Sequence, residues 1–186
     1  MPTAHRDSFY QEAHERYAEL RILAYDYALQ RAISRGIATS ATRMTPIAPA
    51  AIQTVQETWS LQRHWTGDGG WPWELIVRPF HKKPRSFHAA LWEGAELCGL
   101  AVGKVSRGKN RITLRYMQSS PSPTHPLRGR VTLLMFEAAT AYGQALGCRS
   151  LRLRNPLPGA LPIYLRLGFE FAETRRGIVY LNRKLT

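Results

Sequence analysis

Arg128-Gly129-Arg130 and, further along, Tyr164 followed by Gly168-Phe169 are the residues of this chain whose types and spacing could do chemistry. A glycine lets the backbone come close to a ligand, and two flanking guanidiniums supply charge and forked hydrogen bonding. If a helix begins at Val131, its unpaired N–H groups and partial positive charge complete a cradle for a pyrophosphate. A tyrosine hydroxyl, with a reference pKa of about 10, is protonated at neutral pH and can donate. The stretch from His125 to Phe171 therefore has an order in which a phosphorylated cofactor can be held against a proton donor.

The elements that must position these residues follow from periodicity and breakers. Val131, Leu134, Met135, Ala138, Tyr142, Ala145 and Leu146 recur at helical spacing, so a helix is expected from about 131 to 146, stopped by Gly147. Cys148 to Asn155 has strand alternation, with Leu151 and Leu153 on one side and Arg152 and Arg154 on the other. Pro156, Pro158 and Gly159 make a loop, and Ala160 to Leu167 a short helix with Pro162 in its first turn. Phe171 and Ile178 to Leu185 supply the last strands, joined by a hairpin around Arg175 to Gly177. Upstream, FHAALW, ELCGLAVGKV and RITLRYMQ are separated by short Gly-containing turns, which predicts an antiparallel meander. In its third strand Ile112, Leu114, Tyr116 and Gln118 are expected on one face and Thr113, Arg115 and Met117 on the other. The Pro/Ser-rich segment from Ser119 to Pro126 ends that strand.

The first half looks like support. Ser8 with Gln11 has the form of a capping box, and Phe9, Ala13, Tyr17, Leu20, Ala24 and Tyr27 give an apolar stripe, so a long amphipathic helix is expected up to Gly36. That stripe can pack on the domain or form a homodimer contact. A strand around Arg43 to Ile47 and a helix over about 49–63 follow. Gly67, Gly69 and Gly70 break structure beside Trp65, Trp71 and Trp73, and Asp68 can start a short helix through Trp73 to Val77. Such tryptophans either wall a cleft or lock a loop onto the core. His81, Lys82, Lys83 and Arg85 form a basic cluster, a solvated turn or a nucleic-acid contact.

Composition bounds the classes. A chain of 186 residues that is 44% hydrophobic can bury one sizeable core. No apolar run reaches the roughly 20 residues of a membrane span, and no signal core is apparent at the start, so a cytoplasmic protein is expected. Cys98 and Cys148 make neither a disulfide framework nor a metal motif, and no metal is expected. Residues 1–103 carry 11 Lys+Arg against 10 Asp+Glu, and residues 104–186 carry 15 against 3, so 12 of the 13 net positive charges lie in the second part. Such asymmetry attracts phosphorylated cofactors, nucleic acids or acidic partners.

The order of loop, helix, strand and tyrosine-bearing helix resembles the GNAT superfamily of acyl-CoA-dependent N-acyltransferases, over about 87–185 and more loosely over 41–64. The family's cofactor loop, Gln/Arg-x-x-Gly-x-Gly/Ala, falls on Pro126 to Val131, with Gly129 in place and with Pro126 and Val131 as departures. Its second signature, Asn-x-x-Ala-x-x-x-Tyr-x-x-x-Gly-Phe, finds Ala160, Tyr164, Gly168 and Phe169 in register, with Asn155 two residues further upstream than usual. The resemblance implies a mixed, mostly antiparallel sheet flanked by helices (an α/β, or α+β, fold) over 41–186, extended by a helical segment over 1–40. It implies acetyl-CoA as co-substrate and direct transfer to an amine acceptor. Arg128, Gly129, Arg130 and Val131 would hold the pyrophosphate, and Tyr116, Met117, Gln118 and Asn155 the pantetheine arm and thioester carbonyl. Tyr164 would be the acid for the departing thiolate. No general base stands out, Glu74 and His125 being the nearest candidates. The other reading is a non-catalytic basic module that binds nucleic acid or an acidic partner.

Overall fold

A computed structural model describes residues 3–60, 62 and 69–186, with the side chains of 3–7 set aside. Helix α1 spans Thr3–Ser34, strand β1 Thr42–Thr45, helix α2 Pro49–Thr54, continued by a π-helical turn over Val55–Trp59, and helix α3 Trp73–His81. Strands β2 (Phe87–Glu93), β3 (Glu96–Val105) and β4 (Arg111–Ser119) form the expected meander. Helix α4 (Val131–Ala145), strand β5 (Ser150–Arg154), a 3-10 turn (Pro158–Ala160), helix α5 (Leu161–Arg166) and strands β6 (Glu170–Arg175) and β7 (Ile178–Lys184) complete the chain. Trp65, Gly67 and Asp68, read above as part of a loop and a helix start, lie outside the described residues.

The seven strands form one sheet in the order β1-β2-β3-β4-β5-β7-β6, and every neighbouring pair is antiparallel except β4 with β5. A parallel pair needs a crossover, and α4 supplies it. The helices divide between the two faces. On one, α1, α4 and α5 cover a core containing Ile112, Leu114, Leu134, Phe136, Tyr142, Leu151 and Phe169. On the other, α2 and α3 cover Leu97, Leu100 and Val102 with Ile47, Trp59, Trp73 and Phe80. The β6–β7 turn closes on Arg176 and Gly177, both at positive φ (52° and 74°), as a two-residue hairpin requires.

The N-terminal helix departs from its predicted face. It begins by Thr3, and Ser8 donates to Glu12 within the helix instead of capping it. Its buried side is Tyr17, Arg21, Ala24, Tyr25, Ala28, Leu29 and Ala32, whereas Phe9 and Tyr27 are exposed. The stripe shifts because one of its members is an arginine. Arg21 is buried, and its Nη1 donates to the carbonyl oxygens of Pro84 and Ser86 at 2.7 and 3.1 Å. Tyr25 is fully buried and its hydroxyl donates to the His88 carbonyl at 2.6 Å, so the second half of α1 is built into the main core. Burying a large apolar side chain such as Leu29 in that half contributes about 1.5–3 kcal/mol.

His88 itself sets an acid limit on the fold. Its Nδ1 accepts the Ile47 N–H at 3.3 Å, and burial, reinforced by the nearby Arg21 and His81, pulls its pKa down to about 3. The unfolded chain takes up a proton near pH 6.5 that the native site refuses down to about pH 3, so stability is lost as pH falls through that window. One such histidine lowers stability by about 2 kcal/mol between pH 8 and pH 5. Urea denaturation against pH is expected to show this loss in the native sequence and a smaller one in His88→Gln; equal slopes would sink the assignment.

Candidate active site

The site is built where β4 and β5 separate. Their parallel register runs from Arg111 opposite Ser150 to Leu114 opposite Leu153, after which β4 continues to Ser119 without a β5 partner. The cause is a bulge. Gly103 pairs with Leu114 and Val102 with Tyr116, so Arg115 is an extra residue that bends β4 away from its neighbour. Gly103 admits the bend, since a Cβ there would lie 2.9 Å from the Thr113 carbonyl oxygen. Beyond the bulge, the polar groups on the β5 side of β4 are left for another partner, which a buried strand edge requires.

The bulge also reverses the strand's alternation. Ile112 and Leu114 face α4 as expected, but Tyr116 and Gln118 are carried to the α3 side, and Met117 returns to the α4 side. Tyr116 meets Trp71 edge-on, with ring centroids 5.2 Å apart, and Trp73 donates from Nε1 to Gln118 Oε1 at 2.8 Å. Trp73 is 1% exposed and locks the segment before α3 to the core, while Trp71 is half-buried and walls the opening. Each of the two roles considered for the tryptophans thus falls to a different residue.

The resulting cleft has a volume of about 180 Å³ and is lined by Tyr116, Met117, Asn155, Tyr164, Trp71 and Leu157, with Leu114, Arg115, Leu153, Arg154 and Pro156. Tyr164 is held by α5 with its ring against Phe136 and Phe169, at centroid distances of 5.7 and 6.4 Å. Its hydroxyl makes no hydrogen bond with another described residue, and burial pushes its pKa up, so it keeps its proton through neutral pH. Asn155 adopts φ 51°, a left-handed conformation that asparagine tolerates, and its N–H donates to the Val179 carbonyl at 2.7 Å. Gln118 is present on the strand, but its side chain is turned to Trp73 and only its main chain remains to serve the cleft.

The Arg128-Gly129-Arg130 loop feeds the N-terminus of α4. Gly129 has φ 76° with nothing near the position of a Cβ, and Arg130 is the N-cap with no side-chain cap bond. The first N–H groups of the helix therefore face outward without an intrahelical acceptor. Alternate residues anchor the loop inward. Leu127 is buried, and His125 is buried with Nε2 3.0 Å from Ser119 Oγ at the end of β4. Burial, with Arg128 nearby, lowers the His125 pKa. Both arginines also donate to main-chain oxygens, Arg128 to Pro123 at 2.9 Å and Arg130 to Ile37 at 3.3 Å.

Val131 is accommodated by an absence elsewhere. Its side chain is buried, and a Cβ placed on Gly99 of β3 would overlap Val131 Cγ1. The smallness expected at the loop's last position has moved to the facing strand, so the valine points into the core and offers the loop only its main chain.

Neither base candidate lines the cleft. Glu74 is exposed and pairs with Arg78 at 3.4 Å and Gln56 at 3.3 Å. Among the described residues no group of three or more His, Cys, Asp or Glu is placed to hold a metal ion, and no helix is long and apolar enough to cross a membrane. Arg115, Arg154 and Leu157 are cleft residues that sequence patterning did not single out for that role. The one signal for the bulge that exposes Arg115 is Gly103 inside an otherwise apolar strand.

A seven-stranded, mostly antiparallel sheet split beside its one parallel pair, with helices on both faces, is the fold of the GNAT N-acetyltransferases. Among solved structures, the ribosomal-protein-S18-alanine N-acetyltransferase from Escherichia coli superposes with a TM-score of 0.59 at 15% identity, over 78% of this chain and 94% of that one. An acetyltransferase from Thermus thermophilus gives 0.59 at 19% identity, over 78% and 97%. The PaiA N-acetyltransferase from Thermoplasma acidophilum, solved with coenzyme A, gives 0.53 at 17% identity, over 77% and 99%. At these identities the likeness concerns the fold. No protein-family model matches the chain, and no curated protein matches it in sequence.

Proposed function

We propose that the protein transfers an acetyl group from acetyl-CoA to an amine. The observation that carries this is the placing of Tyr164, Asn155, Tyr116 and Met117 around one cleft at the β4–β5 split. The residues present fit the co-substrate. The uncapped start of α4 with Gly129 suits a pyrophosphate, and the open edge of β4 suits an amide-bearing arm.

In this reading the neutral amine forms a bond to the acetyl carbon, the carbon–sulfur bond breaks, and the sulfur takes a proton from Tyr164 while the amine loses one to solvent. Main-chain N–H groups of β4 beyond Arg115 polarise the acetyl oxygen. Water-mediated deprotonation suffices for the amine, consistent with the absence of a carboxylate or imidazole among the described residues of the cleft lining. That solved proteins of this fold, PaiA and an aminoglycoside 6'-N-acetyltransferase, were crystallised with coenzyme A supports the choice of co-substrate.

Calorimetry at low salt, together with thermal denaturation at saturating ligand, tests the reading. A site holding ligand at about 100 times its Kd stabilises the fold by about 2.7 kcal/mol, a shift of several degrees for a chain of this size. Neither heat nor shift with acetyl-CoA would end the proposal. Release of free CoA with a panel of amines, peptides and aminoacylated RNA then identifies the acceptor.

A further inference from the structure

A second concavity, about 550 Å³, lies on the α3 side of the sheet and takes in Arg111, Thr113 and Arg115 of β4. It is therefore at the opposite end of that strand from the Arg128-Gly129-Arg130 loop, which follows Ser119. Nine of its lining residues are Lys or Arg, seven of them arginines, and one, Glu173, is acidic. That carboxylate is taken by Arg152 at 2.6 Å. Arg107, Arg111, Arg115, Arg154 and Arg175 form no side-chain hydrogen bond or ion pair with another described residue. Lys83 and Lys104 sit close enough to depress the Lys104 pKa by mutual repulsion. A folded chain gains nothing from gathering like charges in one trough, since the repulsion works against the compact state. The arrangement is favourable only when an extended anion neutralises it.

The shape and chemistry of the trough narrow the anion. It crosses from β3 through β4, β5 and β7 to β6, four interstrand gaps, or roughly 19 Å at about 4.8 Å per gap. That is far longer than one phosphate group and spans a run of several phosphates along a single strand. Arginine forks fit phosphate in two-bonded geometry, and arginine outnumbers lysine here. The one aromatic ring in the described lining, Tyr180, has the Arg152 guanidinium 5.2 Å from its centroid, and apolar anchor pockets of the kind a peptide would fill are missing from that lining. Arg115 and Arg154 line both the trough and the Tyr164 cleft, so the two are continuous.

We propose that this trough docks the phosphate backbone of a single-stranded nucleic acid, whose end is thereby delivered to the cleft. The docking stands on the trough alone, and the delivery of an amine at that end rests on the acetyltransferase reading.

The test uses the full chain with a fluorescently labelled RNA of about 20 nucleotides, anisotropy being followed across a salt series. Native protein is expected to bind with a steep salt dependence. Lys104→Glu with Arg175→Glu, two exposed side chains outside the Tyr164 cleft, is expected to weaken binding at least about tenfold and to flatten the log–log salt slope by about 1.4, two phosphate contacts at about 0.7 each. Arg16→Glu with Arg166→Glu changes net charge equally on other surfaces and is expected to stay within about threefold of native. Equal weakening by both pairs, no binding at low salt, or competition by a poly-glutamate peptide as effective as that by unlabelled RNA would each overturn the proposal, the last in favour of an acidic protein partner. The acetyl-CoA thermal shift is read on the same samples. Its absence beside intact RNA binding refutes the enzyme reading, and its presence without salt-dependent RNA binding refutes the trough reading.

Discussion

Tyr164→Phe is expected to lower kcat for acetyl transfer by about 10²- to 10⁴-fold, the range of a positioned general acid. Fold stability and the KM for acetyl-CoA are expected to change little. The ring's contacts with Phe136 and Phe169 survive the substitution, and the hydroxyl that is removed has no described hydrogen-bond partner to strand. The pH profile separates an acid from a packing residue. Burial raises the Tyr164 pKa, so the native rate holds through neutral pH and falls on a limb above the ordinary tyrosine range. In the Phe variant that limb is absent, while the limb set by ionisation of the acceptor amine is common to both enzymes. Initial rates of CoA release at saturating substrates across pH check this. Full turnover with an unchanged profile would remove the acid role from Tyr164 and leave it as a wall of the cleft.

The second large effect concerns the altered cofactor loop. Gly99→Ala is expected to cost about 3 kcal/mol, the upper part of the overpacking range, because the added methyl group overlaps Val131 Cγ1 and a β-branched side chain in a helix has little rotamer freedom to yield. The displaced helix start should also weaken acetyl-CoA binding, since Val131 opens α4 directly after Gly129 and Arg130. Val131→Ala removes the obstructing methyl groups. In the Gly99→Ala background it is expected to restore most of the stability and the ligand-induced thermal shift, although alone it destabilises by leaving a small cavity. A double-mutant cycle in urea, with the four proteins compared with and without acetyl-CoA, measures the coupling. Additive effects would mean that Gly99 does not compensate for the valine.

Periodicity places α4 at about 131–146 against an observed Val131–Ala145, and the meander and the α5 helix fall within a residue or two of expectation, because each is a local pattern ended by Gly or Pro. The face of α1 escapes the same reasoning because its cause is not local. In the sequence Arg21 reads as a solvent residue, and only the carbonyl oxygens of Pro84 and Ser86, far away in the chain, make its burial favourable. The alternation along β4 is right up to Leu114 and inverted after it, since a bulge depends on pairing with β3 and leaves almost no mark on its own strand.

The same division holds for the site. Sequence alone determined its chemical inventory: a glycine between two arginines ahead of a helix, a tyrosine four residues before Gly168, and a charge excess confined to the second part of the chain. These are properties of residue type and short spacing. Tertiary structure decided the rest. It turned Tyr116 onto Trp71 and Gln118 onto Trp73, let Gly99 make room for Val131, and gathered arginines from β4, β5 and β6 into one trough beside the cleft. Each of these depends on which strands lie side by side, and strand pairing sums weak contacts between residues far apart in the chain that no local window contains.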